Sequence, residues 1–151
     1  MRTEALESAL TVVGLPLRTS NEAAATTIPP HWEAFSTAGG TEQVPGRLSE
    51  DVFAVYTDFE HEGVSNSGYY TLVIGCRVAH DAAPPASLVR VVVPASDRVV
   101  FPVAAGRSDL VGAAWQEIWA RTDLPKTFVA DYERYAPDGG IEISIGVTTP
   151  Q

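Results

Sequence analysis

Short apolar runs predict β-strands along most of the chain, and the last run is the most regular. Ile141–Val147 alternates apolar and polar residues, which places Ile141, Ile143 and Ile145 on an inward face. Val52–Glu60 also alternates, and a Val64–Gly68 turn joins it to the apolar run Tyr69–Val78, so the pair predicts a hairpin. The other predicted strands are Leu10–Leu17, in which Gly14 and Pro16 mark a bend or an edge, Leu88–Val93, Val99–Ala104 and Thr127–Tyr135.

Two segments carry helical signals, and the second is the clearer. Ser108 is a candidate N-cap for a helix that runs to about Arg121. Its apolar stripe consists of Leu110, Val111, Ala114, Trp115, Ile118 and Trp119.

The first helical segment is interrupted by two prolines. A weak helix start at Glu22–Thr27 follows the candidate caps Thr19, Ser20 and Asn21, and Pro29-Pro30 punctuates it. Pro30 can then open a second helical piece, His31–Ser36, with Trp32 and Phe35 on one face and Gly39-Gly40 at its end.

The predicted elements follow the order strand, helix, strand, strand, twice over, and 151 residues fit one domain, 1–151. A faint internal repeat agrees with this order. Two such units side by side predict an α+β fold, an antiparallel sheet with both helices on one face and a cleft on a pseudo-twofold axis. The similar segments are Trp32–Phe35 and Trp115–Trp119, Phe53–Glu60 and Phe128–Glu133, and Ile74-Gly75 and Ile145-Gly146.

Net charge and hydropathy limit the classes of partner and the cellular location that we expect. The net charge is −9, with 10 Lys and Arg against 19 acids, so direct nucleic-acid binding is not expected. The acidity is compatible with cationic ligands, although by itself it is better explained as a solubility device. No apolar run is long enough to cross a membrane, and Met1–Leu10 lacks the apolar stretch of a secretory signal, so the expected location is cytoplasmic.

Familiar cofactor and nucleophile motifs are missing. Cys76 lies in an apolar run, which favours a buried inert thiol. The three histidines have no metal-ligand spacing, and His61, though it lies among acids, is better explained by a polar hairpin end than by a metal site. The sequence has no G-x-S-x-G, G-x-G-x-x-G or Walker-type loop, so neither a triad hydrolase nor a cofactor is predicted.

Acids and aromatics alternate on two strands that the repeat relates. One strand carries Tyr56, Asp58, Phe59 and Glu60, and the other carries Asp131, Tyr132, Glu133 and Tyr135. Asp131, Glu133 and Tyr135 share one face of their strand, whereas Tyr132 and Arg134 share the other.

An inward Glu133 would lie among aromatic groups, where burial raises the pKa of a carboxyl group. Such an acid could anchor a cation or act as a general acid/base. Two alternatives stay open: Glu133 could be a solvated residue paired with Arg134 or Lys126, and the aromatics could be core. Core packing is the better explanation for Phe53, Phe101, Phe128 and part of Trp115 and Trp119.

The sequence resembles the GyrI-like family, the effector-binding domain of AraC-type and multidrug-responsive regulators. The segments that carry the resemblance are Val55–Glu60, Tyr69–Val78, Val91–Ala95, Val100-Phe101, Trp115–Trp119, Asp131–Tyr135 and Ile141–Gly146. The resemblance implies a duplicated strand–helix–strand–strand fold with a pocket between the halves. It also implies that Glu133 is the acidic anchor of that pocket. The resemblance and the helix pattern together predict the residues that line the pocket. These are Tyr56, Tyr69, Tyr70, Trp32, Phe35, Trp115, Trp119 and Tyr135.

We therefore expect a stand-alone domain that binds or senses an apolar, aromatic and in some cases cationic small molecule. The first alternative is a hydrolase of cyclopropane-containing genotoxins, in which Glu133 would be the catalytic residue. A weaker alternative is a protein inhibitor of DNA gyrase. A separate regulator or gyrase as partner, and a homodimer through exposed edge strands, stay open.

Overall fold

The computed structural model describes residues 1–148, and they form one eight-stranded antiparallel sheet with two α-helices on one of its faces. The order of strands across the sheet is β1-β6-β8-β7-β3-β4-β2-β5. In chain order the elements are β1 (Arg2–Leu6), β2 (Leu10–Ser20), α1 (Ala24–Thr37), β3 (Val52–Thr57), β4 (Tyr69–Val78), β5 (Val89–Val93), β6 (Ser96–Val103), α2 (Val111–Ala120), β7 (Asp131–Tyr135) and β8 (Ile141–Val147).

The strand order is symmetric about the β3–β7 pair, which confirms the duplicated architecture. A pseudo-twofold axis there exchanges β3 with β7, β4 with β8, β2 with β6 and β5 with β1. Tyr56 packs edge-on against Trp115, and Tyr135 packs in the same way against Trp32, so the axis relates these two tyrosines and passes through the directly opposite pair Ala54 and Glu133. Each repeat is therefore strand, strand, helix, strand, strand, one strand more than the predicted order. The additional strand of the second repeat, β5, is the predicted strand Leu88–Val93, whereas that of the first repeat, β1, was not predicted.

The first strand of each repeat lies at the outer edge of the other repeat. β1 pairs with β6, and β5 pairs with β2. Six strand spacings of about 4.8 Å separate β5 from β6 across a flat sheet, or roughly 29 Å. Only Pro94 and Ala95 join the two strands, and three residue steps span at most about 11 Å. The sheet must therefore curl strongly enough to bring the end of β5 close to the start of β6.

Buried apolar residues lie on both sides of the sheet, because neighbouring strand residues point to opposite faces. On the side away from the helices, Val12, Val55, Val73 and Val93 are fully buried, and β1 contributes Leu6 to the same cluster. On the other side, one cluster lies under α1 and a second under α2, and both include Tyr56 and Tyr135. The helices thus cover the same face, as predicted.

Close approach of β2 and β4 explains two glycines. Gly14 and Gly75 are directly opposite, and a Cβ atom on either would lie within about 2.3 Å of the backbone oxygen across the pair. Pro16, by contrast, lies beyond the stretch where β5 pairs with β2, so its missing N–H faces no partner strand on that side.

Two strands are shorter than the alternation predicted. β4 and β8 have the predicted bounds, but β3 ends at Thr57 and β7 begins only at Asp131. The backbone takes a positive φ at Asp58 (50°) and at Phe128 (52°), which breaks the extended conformation. β1 was not predicted, because four of its five residues are exposed and its residues do not alternate in hydrophobicity.

The prediction of two helical pieces around Pro29-Pro30 was wrong. α1 is one helix with both prolines inside it, and none of the predicted caps occupies its N-cap, which is Ala23. Contacts on its inner side offset the lost backbone hydrogen bonds: Phe35 is buried, and His31 Nε2 lies 2.8 Å from the Leu15 carbonyl oxygen. Similarly, Ser108 opens a short 3₁₀ turn rather than α2, whose N-cap is Leu110.

The repeat is real, but the sequence aligned it in the wrong register. The sheet pairing relates Ala54 to Glu133 and Ile74 to Ile143, whereas the similar segments placed Phe53 with Phe128 and Ile74 with Ile145. The shift arises because Phe128 precedes β7 instead of beginning it. Among residues 1–148, neither helix is long and apolar enough to cross a membrane.

Candidate functional site

A cavity of about 1000 Å³ opens between the two helices, above the centre of the sheet. Its floor is the β3–β7 pair, from which Tyr56, Glu133 and Tyr135 point toward the helices. α1 contributes Ala24, Ala25, Ile28, Pro29 and Trp32, and α2 contributes Val111, Gly112, Trp115, Gln116 and Trp119. A cavity of this size, largely apolar in its walls, suits a small organic ligand.

Glu133 is the buried acid at the centre of the floor, with 2% of its surface exposed. Its Oε2 accepts hydrogen bonds from the Tyr56 hydroxyl at 2.6 Å and from Trp115 Nε1 at 2.7 Å. Its Oε1 accepts one from the Tyr135 hydroxyl at 2.5 Å. These contacts contradict the alternative of a solvated Glu133 paired with Arg134 or Lys126. Arg134 instead bonds Asp51, and Lys126 bonds the Arg121 carbonyl oxygen.

The partners of Glu133 are all neutral. Among residues 1–148, no Lys, Arg or His nitrogen lies within salt-bridge distance of its carboxylate. Burial raises the pKa of Glu133, while the hydrogen bonds from Tyr135, Tyr56 and Trp115 act in the opposite direction. The site therefore holds a carboxylate that is hydrogen-bonded but lacks a counter-charge.

The tyrosines around Glu133 stay protonated at neutral pH. Burial raises the pKa of Tyr70 to about 12, with a further contribution from the negative field of Glu133. The pKa values of Tyr56 and Tyr135 are also raised, by burial first and then by Glu133. Both hydroxyls can therefore act as hydrogen-bond donors to the carboxylate throughout the physiological range.

The aromatic side chains form an enclosure that follows the pseudo-twofold axis. Trp115 meets the Tyr56 ring edge-on with centroids 5.5 Å apart, and Trp32 meets the Tyr135 ring in the same way at 5.1 Å. Trp119 stacks on Trp115 at 5.8 Å. We call Trp32, Tyr56, Trp115, Trp119 and Tyr135 the aromatic box. All three tryptophans of the chain belong to it.

Asp131 is a second acid in the same cavity and is 9% exposed. Its Oδ1 accepts a hydrogen bond from the Gly146 N–H at 2.9 Å and lies 3.9 Å from Nη2 of the fully buried Arg98. Burial raises the pKa of Asp131 to about 6, against the lowering effects of the Gly146 N–H, Arg98 and Lys126. The predicted strand face of Asp131, Glu133 and Tyr135 is therefore the face that lines the cavity.

Seven of the nine residues predicted to bind ligand line this cavity, and two do not. Phe35 is buried under α1 against Ala54, Leu72 and Ile74, so it belongs to the core. Tyr69 points away from the cavity, because neighbouring strand residues face opposite sides, and it is 59% exposed. The seven are Trp32, Tyr56, Tyr70, Trp115, Trp119, Glu133 and Tyr135.

Sequence reasoning missed part of the lining. Phe59, Asn21 and Asn66 reach the cavity from loops, and Asp109 reaches it from the 3₁₀ turn before α2. Tyr70 OH donates a hydrogen bond to Asn21 Oδ1 at 3.1 Å, which ties the entrance of α1 to β4. No periodic pattern marks loop residues as inward, so only the interleaving of acids and aromatics could have indicated Phe59.

A smaller cavity of about 480 Å³ lies on the other side of the sheet and differs in charge. Its lining acids face arginines: Arg2 pairs with Glu142 and Arg134 with Asp51, each at 2.9 Å. Cys76 is buried elsewhere in the core, where burial raises the pKa of its thiol to about 11, as expected for an inert cysteine. The unpaired buried charge of Glu133 thus distinguishes the larger cavity.

Comparisons with known proteins agree with this architecture. The model of the Cass2 family, described as integron-associated effector binding protein, matches residues 6–147. An integron cassette protein from the mobile metagenome of Vibrio cholerae is 23% identical, with a TM-score of 0.75 over 97% of this chain and 94% of that one. A search of curated proteins gives no match.

Two further structures are similar in fold. A candidate bacterial transcription regulation protein from Staphylococcus aureus MU50 is 15% identical, with a TM-score of 0.74 over 98% of this chain and 97% of that one. SAV2435, solved bound to tetraphenylphosphonium, is 16% identical, with a TM-score of 0.74 over 97% of this chain and 93% of that one. At these identities the structural likeness establishes the fold alone.

Proposed function

We propose that this chain, which belongs to the Cass2 family of integron-associated effector binding proteins, binds a hydrophobic, positively charged small molecule inside the aromatic box. Effector binding in general follows from the family. The cationic character of the ligand, its aromatic surface and the role of Glu133 as its anchor are the specific parts of the proposal.

The observation that carries the proposal is the uncompensated charge of Glu133. A buried carboxylate with three neutral donors and no cation is costly, and burial already raises its pKa. A cationic ligand would supply the missing counter-charge in a low-dielectric environment, where the attraction is far stronger than in water. The same ligand would restore full ionisation of the carboxylate.

The aromatic box supplies the second element of recognition. Indole and phenol faces attract a cation within about 6 Å of their centroids, by roughly 1 kcal/mol or more when water is excluded. The wall contributed by α1 is apolar, with Ala24, Ala25 and Ile28, whereas both floor acids come from β7. We therefore expect an amphiphilic ligand with its charge toward β7 and its hydrocarbon surface toward α1.

The ligand bound to a protein of similar fold supports the proposal of a cationic aromatic ligand. SAV2435 was solved with tetraphenylphosphonium, an aromatic cation without hydrogen-bond donors. Tetraphenylphosphonium therefore serves here as a probe of the cavity.

The first test compares two ions of the same shape and opposite charge. Tetraphenylphosphonium should bind and quench tryptophan fluorescence, because all three tryptophans line the cavity, whereas tetraphenylborate should bind at least 100-fold more weakly. Glu133→Gln keeps the size of the side chain and removes its charge. We expect it to weaken tetraphenylphosphonium binding by about 100-fold, since losing one partner of a buried charge pair costs about 2–5 kcal/mol.

Isothermal titration calorimetry of both proteins with both ions decides the matter. Equal affinity of wild type and Glu133→Gln for tetraphenylphosphonium would reject Glu133 as the anchor. Equal affinity of the wild type for the phosphonium and the borate would reject a cationic ligand while leaving a hydrophobic binding site.

Hydrolysis of a strained electrophilic ligand is a second candidate for the same cavity. The observation that favours it is the raised pKa of Glu133 beside two tyrosine hydroxyls, an environment that suits proton transfer. Incubation with a cyclopropane-bearing compound, followed by mass spectrometry, separates the candidates. A hydrated product that Glu133→Gln fails to form would assign hydrolysis, and unchanged compound would leave binding.

A further inference from the structure

Asp131 has one carboxylate oxygen that the protein leaves unused. Oδ1 accepts the Gly146 N–H and faces Arg98, but Oδ2 accepts no hydrogen bond among residues 1–148. No fully buried side-chain oxygen or nitrogen in that range lacks a partner, so Oδ2 keeps some exposed surface, and the open space that Asp131 lines is the cavity. The free oxygen is therefore available to a molecule in the cavity.

The rest of the Asp131 side chain is held in place from behind. Arg98 is 1% exposed and donates from Nε to Ser144 Oγ and from Nη2 to the Ser144 carbonyl oxygen, both at 2.9 Å. A Cβ atom at Gly146 would meet Arg98 Nη1 at 3.1 Å, so the absence of a side chain there leaves room for the guanidinium. Arg98 and the Gly146 N–H thus orient Asp131 and favour its charged form.

We propose that Asp131 is a specificity-determining residue that selects cations carrying an N–H donor in addition to their charge. The inference rests on the proposed function, because it assigns a second contact to the ligand that Glu133 would anchor. The preferred ligand class is an aromatic cation with an amino, amidino or guanidino group at its edge.

The two acids differ in what they can offer. Both Glu133 oxygens already accept hydrogen bonds, so Glu133 attracts a ligand mainly through its charge. Asp131 can give a directional, charge-assisted hydrogen bond through Oδ2. Residues two apart on a strand have Cα atoms about 7 Å apart, which sets the approximate distance between the cationic centre and the N–H group.

Two planar dyes test the inference. Thionine and methylene blue share a tricyclic cation, but thionine has terminal NH₂ groups where methylene blue has dimethylamino groups without an N–H. We expect Asp131→Asn to weaken the binding of thionine at least tenfold more than the binding of methylene blue. Equilibrium dialysis measures both affinities, at dye concentrations too low for the dyes to stack. Glu133→Gln should weaken both dyes by the same factor.

A matched control comes from the other repeat. Val52 is the pseudo-twofold equivalent of Asp131 and also lines the cavity, so Val52→Asn adds an amide without removing an acid. It should change both affinities equally. Equal weakening of the two dyes by Asp131→Asn would overturn the inference and leave the proposed function intact, whereas failure of the wild type to bind either dye would reject both.

The wild-type protein alone gives a second readout if Asp131→Asn does not fold. As the pH falls through about 6, Asp131 gains its proton and thionine should lose affinity relative to methylene blue, because protonation of Glu133 affects the two dyes alike. The other charged or titratable groups nearby are Arg98, Lys126, Tyr56 and Asp109, and each acts on both cations. If the ratio of the affinity for thionine to the affinity for methylene blue stays constant from pH 8 to 5, the role of Asp131 is contradicted.

Discussion

The two repeats build matching halves of one enclosure, yet only the second repeat carries its charge. Tyr56 and Tyr135 are related by the pseudo-twofold axis, and each is covered edge-on by a tryptophan from a helix. The positions of Glu133 and Asp131 are occupied in the first repeat by Ala54 and Val52. Both tyrosines donate to Glu133.

This difference shows how a duplicated fold acquires a polarised site. Duplication yields the symmetric aromatic walls, whereas a symmetric pair of acids would place two buried carboxylates directly opposite each other on β3 and β7. Side chains directly opposite in an antiparallel pair have Cβ atoms about 5 Å apart, so like charges there repel strongly at low dielectric. With Ala54 opposite Glu133, one carboxylate accepts from both tyrosines and that repulsion is avoided.

The largest expected effect comes from making the two halves alike. Ala54 is fully buried against Phe35, Leu72 and Ile74. Ala54→Glu would bury a second charge beside Glu133, and the free energy of unfolding in urea should fall by about 3–5 kcal/mol. Ala54→Gln has the same bulk without the charge. If both variants lose the same stability, overpacking and not repulsion explains the asymmetry.

The two tryptophans of the matched pairs should differ in their effect on binding. Trp115 donates a hydrogen bond to Glu133, whereas the contact between Trp32 and Tyr135 is a contact between rings alone. Trp115→Phe removes a hydrogen bond to a buried carboxylate, so we expect about tenfold weaker tetraphenylphosphonium binding. Trp32→Phe keeps an aromatic ring and should cost less than about threefold. Calorimetric titration of both variants checks the order, and equal losses would mean that ring contact alone matters.

The helices themselves supply the smallest predicted effect. α1 contains Pro29 and Pro30, and α2 contains no proline. Pro30 is exposed and lies outside the cavity lining, so Pro30→Ala should restore a helical hydrogen bond and raise the unfolding free energy by about 1 kcal/mol. Pro84→Ala, in a loop, should instead lower it slightly, because the unfolded chain gains freedom. A loss of stability in Pro30→Ala would show that the prolines hold α1 in place.

Local sequence patterns were sufficient to predict most of the strands and to predict which face of β7 carries Glu133. Alternation placed Ile141, Ile143 and Ile145 in the core and Asp131, Glu133 and Tyr135 on one face, and the structure confirms both. The pattern failed where a single residue changes the backbone direction, as at Asp58 and Phe128, and where tertiary contacts hold a helix through two prolines. It also failed for β1, whose place is set by pairing with β6.

What the sequence by itself determined is the class of fold and the chemistry available: seven short apolar segments that form strands, two helices, and acids interleaved with aromatics. Periodicity acts over a few residues, so it can assign a face to Glu133 but not its neighbours. Only the tertiary structure decided that the first strand of each repeat lies on the other repeat and that Tyr56, Trp115 and Tyr135 share one carboxylate. The hydrogen bonds to Glu133 join residues up to 77 positions apart, and they depend on strand order and register, which no local pattern encodes.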